Sequence, residues 1–254
     1  MSRRIRLGVF AVGACAVGTM LVIAFTGLPS FGTQRHPYGD RAVHMSVHKQ
    51  TTSNVVSSVN FDQRATDTLG EEFILFTAVV GTLVLLRELR EEDERDESQE
   101  KRQIAARGLP STALVSYVML GVTTLVGLYV VAHGHLSPGG GFQGGVVLAT
   151  AIHLLYVGGG YAAIRRARPV PVYEILEALG AGGFVVLGLA GTLLTGDLLA
   201  NVLPMGRLGD ILSGGDVELL NLLVGVEVAS AFIVVLSRFL EQYAVVGARR
   251  PTTR

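Results

Sequence analysis

Phe73-Ile-Leu-Phe-Thr-Ala-Val-Val-Gly-Thr-Leu-Val-Leu-Leu86 is the segment on which the architecture turns. Its fourteen uncharged residues make about 21 Å of helix, short of the roughly 30 Å of a hydrocarbon core. Alone it reads as a buried helix of a soluble domain. It becomes a membrane span only if it is extended backwards through Leu69, because Arg87 blocks the other direction. That extension draws Glu71 and Glu72 about one turn into the membrane edge.

Five stronger candidates surround it. Leu7–Leu28 is 22 residues without a charge, preceded by Arg3, Arg4 and Arg6. It exceeds the roughly 7–15 apolar residues of a signal-peptide core, and no Ala-x-Ala follows, so it reads as a retained first helix. Residues 112–132 and 142–164 are each long enough to cross. A fifth span is expected over 175–196, with the Leu198–Leu203 segment extending it, and a sixth over 217–237, interrupted by Glu218, Asn221 and Glu227. The chain is 49% hydrophobic and only 17% charged, where soluble domains carry about a quarter charged residues. The expected fold is all-α and polytopic, with six transmembrane helices and both termini inside.

Lysine and arginine positions test the count, because cytoplasmic loops are enriched in both. Six spans place 16 of the 21 basic residues inside: Arg3, Arg4, Arg6, the cluster between Arg87 and Arg107, Arg165, Arg166, Arg168, Arg238 and the three arginines of the C-terminal tail. Outside remain Arg35, Arg41, Lys49, Arg64 and Arg207. Dropping the 69–86 span would put the Arg-rich linker outside and invert everything downstream. The organisation expected is therefore a two-span unit over 1–87 (spans about 7–28 and 69–86, outer loop 29–68), a charged cytoplasmic linker over 88–107, and a four-span domain over 108–254.

The 21 basic and 21 acidic residues cancel, which removes any global electrostatic case for nucleic acid. Cys15 is the only cysteine, so there is no disulfide framework and no CxxC pair. No nucleophile triad, HExxH or nucleotide fingerprint occurs, and neither enzyme activity nor a cofactor is expected.

Chemistry concentrates in the charged residues within spans, each costing roughly 2.5–3.5 kcal/mol on insertion scales. Glu227 lies ten residues into the sixth span and His153 eleven into the fourth, so both sit about 15–17 Å below one surface. Two readings stand for them: a proton relay or hydrated ion path, or hydrogen-bonding glue between helices. Asp67, Glu71 and Glu72 form an acidic group at the start of the second span, where a water-facing entry for protons or cations is one reading. Thr68-Leu69-Gly70-Glu71 also fits a capping box at a helix start. Glu174 and Glu177 read as helix-start charges near Arg165, Arg166 and Arg168, with transport as the alternative.

The loop His133-Gly-His-Leu-Ser-Pro-Gly-Gly-Gly-Phe-Gln-Gly-Gly145 is the most distinctive segment. His133-x-His135 offers two ligands without a nearby cysteine or carboxylate, so no metal site is expected. Gly140 with Gly144, and Gly141 with Gly145, form two overlapping GxxxG pairs that permit close helix approach, and Ser137-Pro138 turns the chain into that helix.

This loop, followed by an apolar span, resembles the B-type subunit of the multisubunit Mrp-type Na⁺/H⁺ antiporters, over roughly residues 110–240. Upstream, Val59-Asn-Phe-Asp-Gln-Arg-Ala-Thr-Asp-Thr-Leu-Gly-Glu71 resembles the small two-span piece that ends the A-type subunit in many Mrp systems or stands alone in hydrogenase relatives. The resemblance implies a non-catalytic, multi-pass subunit of the bacterial cell membrane, auxiliary to Na⁺/H⁺ exchange, assembled with subunits of the A, C, D, E, F and G types. Two alternatives remain: the equivalent subunit of a membrane-bound hydrogenase-type, redox-driven complex, or a purely structural scaffold. No span carries a lysine, unlike the large pump-related subunits of such complexes.

Overall fold

In a computed structural model, residues 3–28, 32, 36–86, 109–167 and 169–248 are described. Six helices among them are long and apolar enough to cross a membrane. No strand occurs among the described residues. The first, α1 (Arg3–Thr26), belongs to a compact unit over residues 1–40 and buries none of its residues. The remaining elements form a second unit, residues 41–254, and the expected linker 88–107 lies outside the described residues.

The described part of the segment expected as outer loop, from residue 36 on, is folded. It holds α2 (Pro37–His48), then the single turn α3 (Val55–Ser58) and a π-helical turn over Val59–Gln63. Asn54 caps α3, its Oδ1 accepting from the amides of Val56 (3.1 Å) and Ser57 (3.3 Å); a side-chain oxygen here satisfies donors that the first turn leaves open. The helix that follows, α4 (Ala65–Leu85), starts three residues before the expected capping box. Thr68 does not cap it: its hydroxyl donates to the Asn60 carbonyl at 2.7 Å, tying α4 to the π-helical turn.

Pro110, which has no amide to leave unpaired, opens α5 (Pro110–Ala132). The next helix, α6 (Gly141–Ala167), breaks at Gly160, whose φ of 69° and ψ of −167° are not helical. Its membrane-spanning part is Gly141–Gly160, shorter than the uninterrupted span expected over 142–164. Helix α7 (Val170–Thr195) begins after Pro169 and ends on Gly196 in the left-handed conformation, the usual stop for a helix. The Leu198–Leu203 segment does not extend α7. Leu199 turns back, its amide donating to the Gly188 carbonyl at 3.2 Å. Gly188 and Gly191 leave room for this: a Cβ on Gly191 would lie 2.7 Å from the Ala200 backbone.

The last helix, α8 (Asp216–Ala248), is the axis of the second unit and packs against α4, α5, α6 and α7. Its spanning part is 56% buried, against 17–28% for the other spans of this unit. Two apolar clusters surround it: Phe61, Phe184, Leu199, Val217, Leu220, Val224 and Val228 near its start, and Val79, Ala231 and Val234 further along. Glycines permit the approach. A Cβ on Gly141 would lie 2.5 Å from the Asn221 carbonyl, and one on Gly145 would lie 2.7 Å from Val228 Cβ. On another face of α6, a Cβ on Gly144 would collide with Val131 of α5. The overlapping glycine pairs thus seat α6 between α5 and α8 within this one chain. Gly140 (φ 137°) faces the Asn221 side chain, and Pro138 is exposed.

Candidate functional site

Three carboxylates from three helices are buried in the second unit: Glu72 of α4, Glu177 of α7 and Glu227 of α8, with 2%, 3% and 0% of their surface exposed. Their depths follow from connectivity. Asn221 of α8 bonds Ser57 just ahead of α4, and Asn201 of the α7–α8 loop bonds Asp62, so α4 and α8 start on one side and α7 on the other. Counting helical rise from each start, Glu72 lies about 10 Å deep and Glu227 about 16 Å deep from that side, and Glu177 about 10 Å from the opposite side. Across roughly 30 Å of hydrocarbon the three form a descending series with Glu227 in the middle.

Packing brings the series together. Gly180, one turn beyond Glu177, presses against α8 so closely that a Cβ there would lie 2.7 Å from Glu227 Cβ. Glu227 is acted on electrostatically by both Glu72 and Glu177, and Glu72 faces Glu227 directly as its neighbour. Yet both carboxyl oxygens of Glu72, both of Glu227 and one of Glu177 lack a hydrogen-bond partner. The two facts fit together chemically: ionised carboxylates only accept, so Glu72 and Glu227 can bond each other only when one of them carries a proton.

The two ends of the series differ. Glu72 lines a cavity of about 240 Å³ between α4 and α7, whose other walls include Leu69, Phe73, Phe76, Ala178 and Ala181. One turn before Glu177, Glu174 is half-buried and pairs with Arg238 of α8 at 3.2 Å. Among the described residues Arg238 is its ion-pair partner, while Arg168 and the side chains of Arg165 and Arg166 lie outside what is described. Glu71 is exposed and adds its charge beside Glu72. Asp67 is exposed and paired with Arg64. His153 is half-buried on α6, twelve residues past Gly141 and so near the depth of Glu227.

A polar layer that the sequence did not announce covers the side where α4 and α8 begin. Asn54 Nδ2 donates to the carbonyls of Gly134 (2.7 Å) and Ser137 (2.9 Å), pinning the glycine-rich loop. Asn221, fully buried, accepts from the Gly141 amide at 2.9 Å and donates to Ser57 Oγ at 2.8 Å. Asp216 accepts from the amides of Val202 and Leu203 at 3.0 and 3.1 Å. Asp62, outside the spans, receives Asn201 Nδ2 at 3.1 Å. Burial pushes the Asp62 carboxyl above its ordinary range, with a smaller contribution from Asp216, against the bonds from Asn201 and Gln50. In the sequence, Asn221 stands out from this layer only as a polar interruption of the sixth span. His135 is fully buried within it, and His133 stacks on Tyr129 with ring centroids 4.3 Å apart. Among the described residues no three histidine, cysteine or acidic side chains are grouped to hold a metal ion.

Residues 111–234, which carry α5 to α8 and two of the three buried carboxylates, match a domain described as related to the MnhB subunit of the Na⁺/H⁺ antiporter. An uncharacterized protein of Methanocaldococcus jannaschii is 32% identical over 196 residues, 69% of this chain and 72% of that protein. The chain belongs to the MnhB-related family. A probable K⁺/H⁺ antiporter protein of Rhizobium meliloti, of the combined A/B type, is 28% identical over 176 residues, 62% of this chain but only 17% of that protein. The MnhB-related chain is also similar to solved structures. One chain of an archaeal respiratory membrane complex, the membrane-bound sulfane sulfur reductase, aligns with a TM-score of 0.69 at 25% identity, covering 93% of this chain and 98% of that one. A chain of the Mrp complex from Dietzia sp. DQ12-45-1b shares the fold at a TM-score of 0.65 and 22% identity, over 94% of this chain and 26% of that one. Both structural matches take in the region ahead of residue 111 as well as the MnhB-related domain. The chain is a multi-pass membrane protein.

Proposed function

We propose that this chain is an auxiliary subunit of a multisubunit monovalent cation/proton antiporter in the cell membrane, assembled with other Mrp-type subunits (the A, C, D, E, F and G types), and that it lines an ion path. The observation that carries the ion path is the middle position of Glu227, fully buried between Glu72 and Glu177 on neighbouring helices. A charge at such depth has a cost that packing alone leaves uncompensated. Family membership supports the antiporter context. The transported ions in this reading are H⁺ and Na⁺, with K⁺ as the alternative suggested by the Rhizobium meliloti relative. The chain itself catalyses no reaction and holds no cofactor. Both termini face the cytoplasm, in keeping with the distribution of basic residues.

A second reading has a specific observation behind it. The near-complete match to one chain of a respiratory complex fits a subunit that couples ion movement to electron transfer. Purification of the chain from its native membrane, followed by mass spectrometry of what accompanies it, separates the two. Antiporter subunits alone are the expected result, and iron–sulfur or hydrogenase-like partners would replace the first reading by the second.

A further inference from the structure

We propose that Glu72 and Glu227 form a carboxyl–carboxylate pair that holds one proton between them and exchanges it with Glu177, so that the ion handled at this site is the proton and not the metal cation. This deepens the ion-path reading above and rests on it.

Charge sets the first condition. Two carboxylates that face each other away from water cannot both be ionised without a counter-charge. Among the described residues the basic side chain paired at the end of the row, Arg238, is engaged with Glu174. From α4 the pair is faced by Glu72 itself with Glu71 beyond it, and from α7 by Glu177 with Glu174 beyond it. On α6, His153 stands at similar depth. The groups that act on Glu227 from α4 and α7 are therefore acids, and a proton is the smallest cation that neutralises such a pair. A metal ion stripped of water needs a shell of oxygen ligands. The described residues supply no group of three acidic, histidine or cysteine side chains for one.

The cavity supplies a route. Glu72 has both oxygens unpartnered, is only 2% exposed, and lines the 240 Å³ space between α4 and α7. That space has room for water, and Glu72 is the one charged side chain on its otherwise apolar lining, so water or a proton carrier entering it would meet the carboxyl without the side chain leaving its place. Transfer then conserves atoms and charge. The O–H bond of a protonated Glu72 breaks as an O–H bond forms on the Glu227 carboxylate, and the single negative charge passes the other way. Repeating the exchange with Glu177, directly or through one bridging water, moves the proton toward the Glu174–Arg238 pair. Glu72 belongs to the segment ahead of the MnhB-related domain and Glu227 to that domain, so the pair is complete only when both segments are present.

The test uses the assembled complex in native membrane vesicles and dicyclohexylcarbodiimide, which condenses with protonated carboxyls in apolar surroundings, read by peptide mass spectrometry. A shared proton predicts one label per chain, on Glu72 or Glu227 but not on both, with no protection by Na⁺ or K⁺. In Glu227→Gln the label should fall on Glu72, and in Glu72→Gln on Glu227. Competitive protection by Na⁺ or K⁺ would make the pair a metal-cation site and overturn the proposal. So would the absence of label from both residues at every pH, or two labels on one chain. The labelling is independent of which subunits co-purify, so its failure is distinguishable from failure of the antiporter reading.

Discussion

Replacing Asn221 by alanine tests whether the segment ahead of α4 and the four helices of the MnhB-related domain are locked by one buried side chain. Asn221 is fully buried, and its amide reaches three groups: the Gly141 amide at 2.9 Å, Ser57 Oγ at 2.8 Å and the Val217 carbonyl at 2.8 Å. Two of these bonds cross between distant parts of the chain. Each contributes about 0.5–1.5 kcal/mol net, and leaving a buried amide such as Gly141 without an acceptor costs about 1–3 kcal/mol. Asn221→Ala should therefore destabilise the chain by about 2–4 kcal/mol, since these contributions overlap. For a chain of this size that is a fall in thermal midpoint of several degrees, measurable by a thermal-shift assay on the detergent-solubilised complex. Ser57→Ala removes only one of the bonds and should cost about 1 kcal/mol. In the double variant most of the Ser57 loss should disappear, because the bond is already gone. An unchanged midpoint for Asn221→Ala, or strictly additive losses in the double variant, would refute the lock.

Gly144→Leu drives a side chain into Val131 and should abolish recovery of folded chain, whereas Gly121→Leu, with nothing within 4 Å of its Cβ position, should be tolerated; equal recovery of both would remove the packing account. Asp62 has its folded pKa raised above the unfolded 3.8 by burial, so the stability linked to its protonated form is full below that value and lost as pH rises through the folded pKa. Asp62→Asn keeps an acceptor for Asn201 and should flatten that loss, leaving thermal stability at neutral pH equal to or above wild type; a less stable variant at neutral pH would contradict it. Single cysteines at Gln99 and Gly139, introduced after replacing Cys15, should be labelled by an impermeant reagent in intact cells only at Gly139, and labelling at Gln99 would overturn the orientation.

Spans were legible because the bilayer imposes a length, and runs such as Thr112–Ala132 meet it without help. The 69–86 span was legible only through the arginines around it, since its own apolar run is too short. What length cannot show is where a helix breaks or turns. The break at Gly160 is a change of backbone conformation at a single glycine, and the fold-back at Leu199 depends on Gly188 and Gly191 meeting Leu199 and Ala200. The buried acids were visible as costly charges, but depth does not fix azimuth. Glu227 and His153 share a level in the membrane, while the neighbour facing Glu227 directly is Glu72, at a shallower level on a helix that the sequence barely identified. The polar layer was hidden for a related reason. Asn54 and Asn221 act through carbonyls and amides about eighty residues away, and no local pattern encodes such bonds.

Ion transfer and helix packing make opposite demands on Glu227, and one substitution separates them. Glutamine keeps the shape and hydrogen-bonding capacity of this residue and removes its ability to exchange a proton. Cation/proton exchange by the Glu227→Gln complex in membrane vesicles, with assembly verified by co-purification, is the direct measurement. Loss of exchange by a fully assembled complex, with Glu227→Asp retaining part of it at a shifted pH optimum, is the predicted result. Full exchange by an assembled Glu227→Gln complex would contradict a role for Glu227 in transfer.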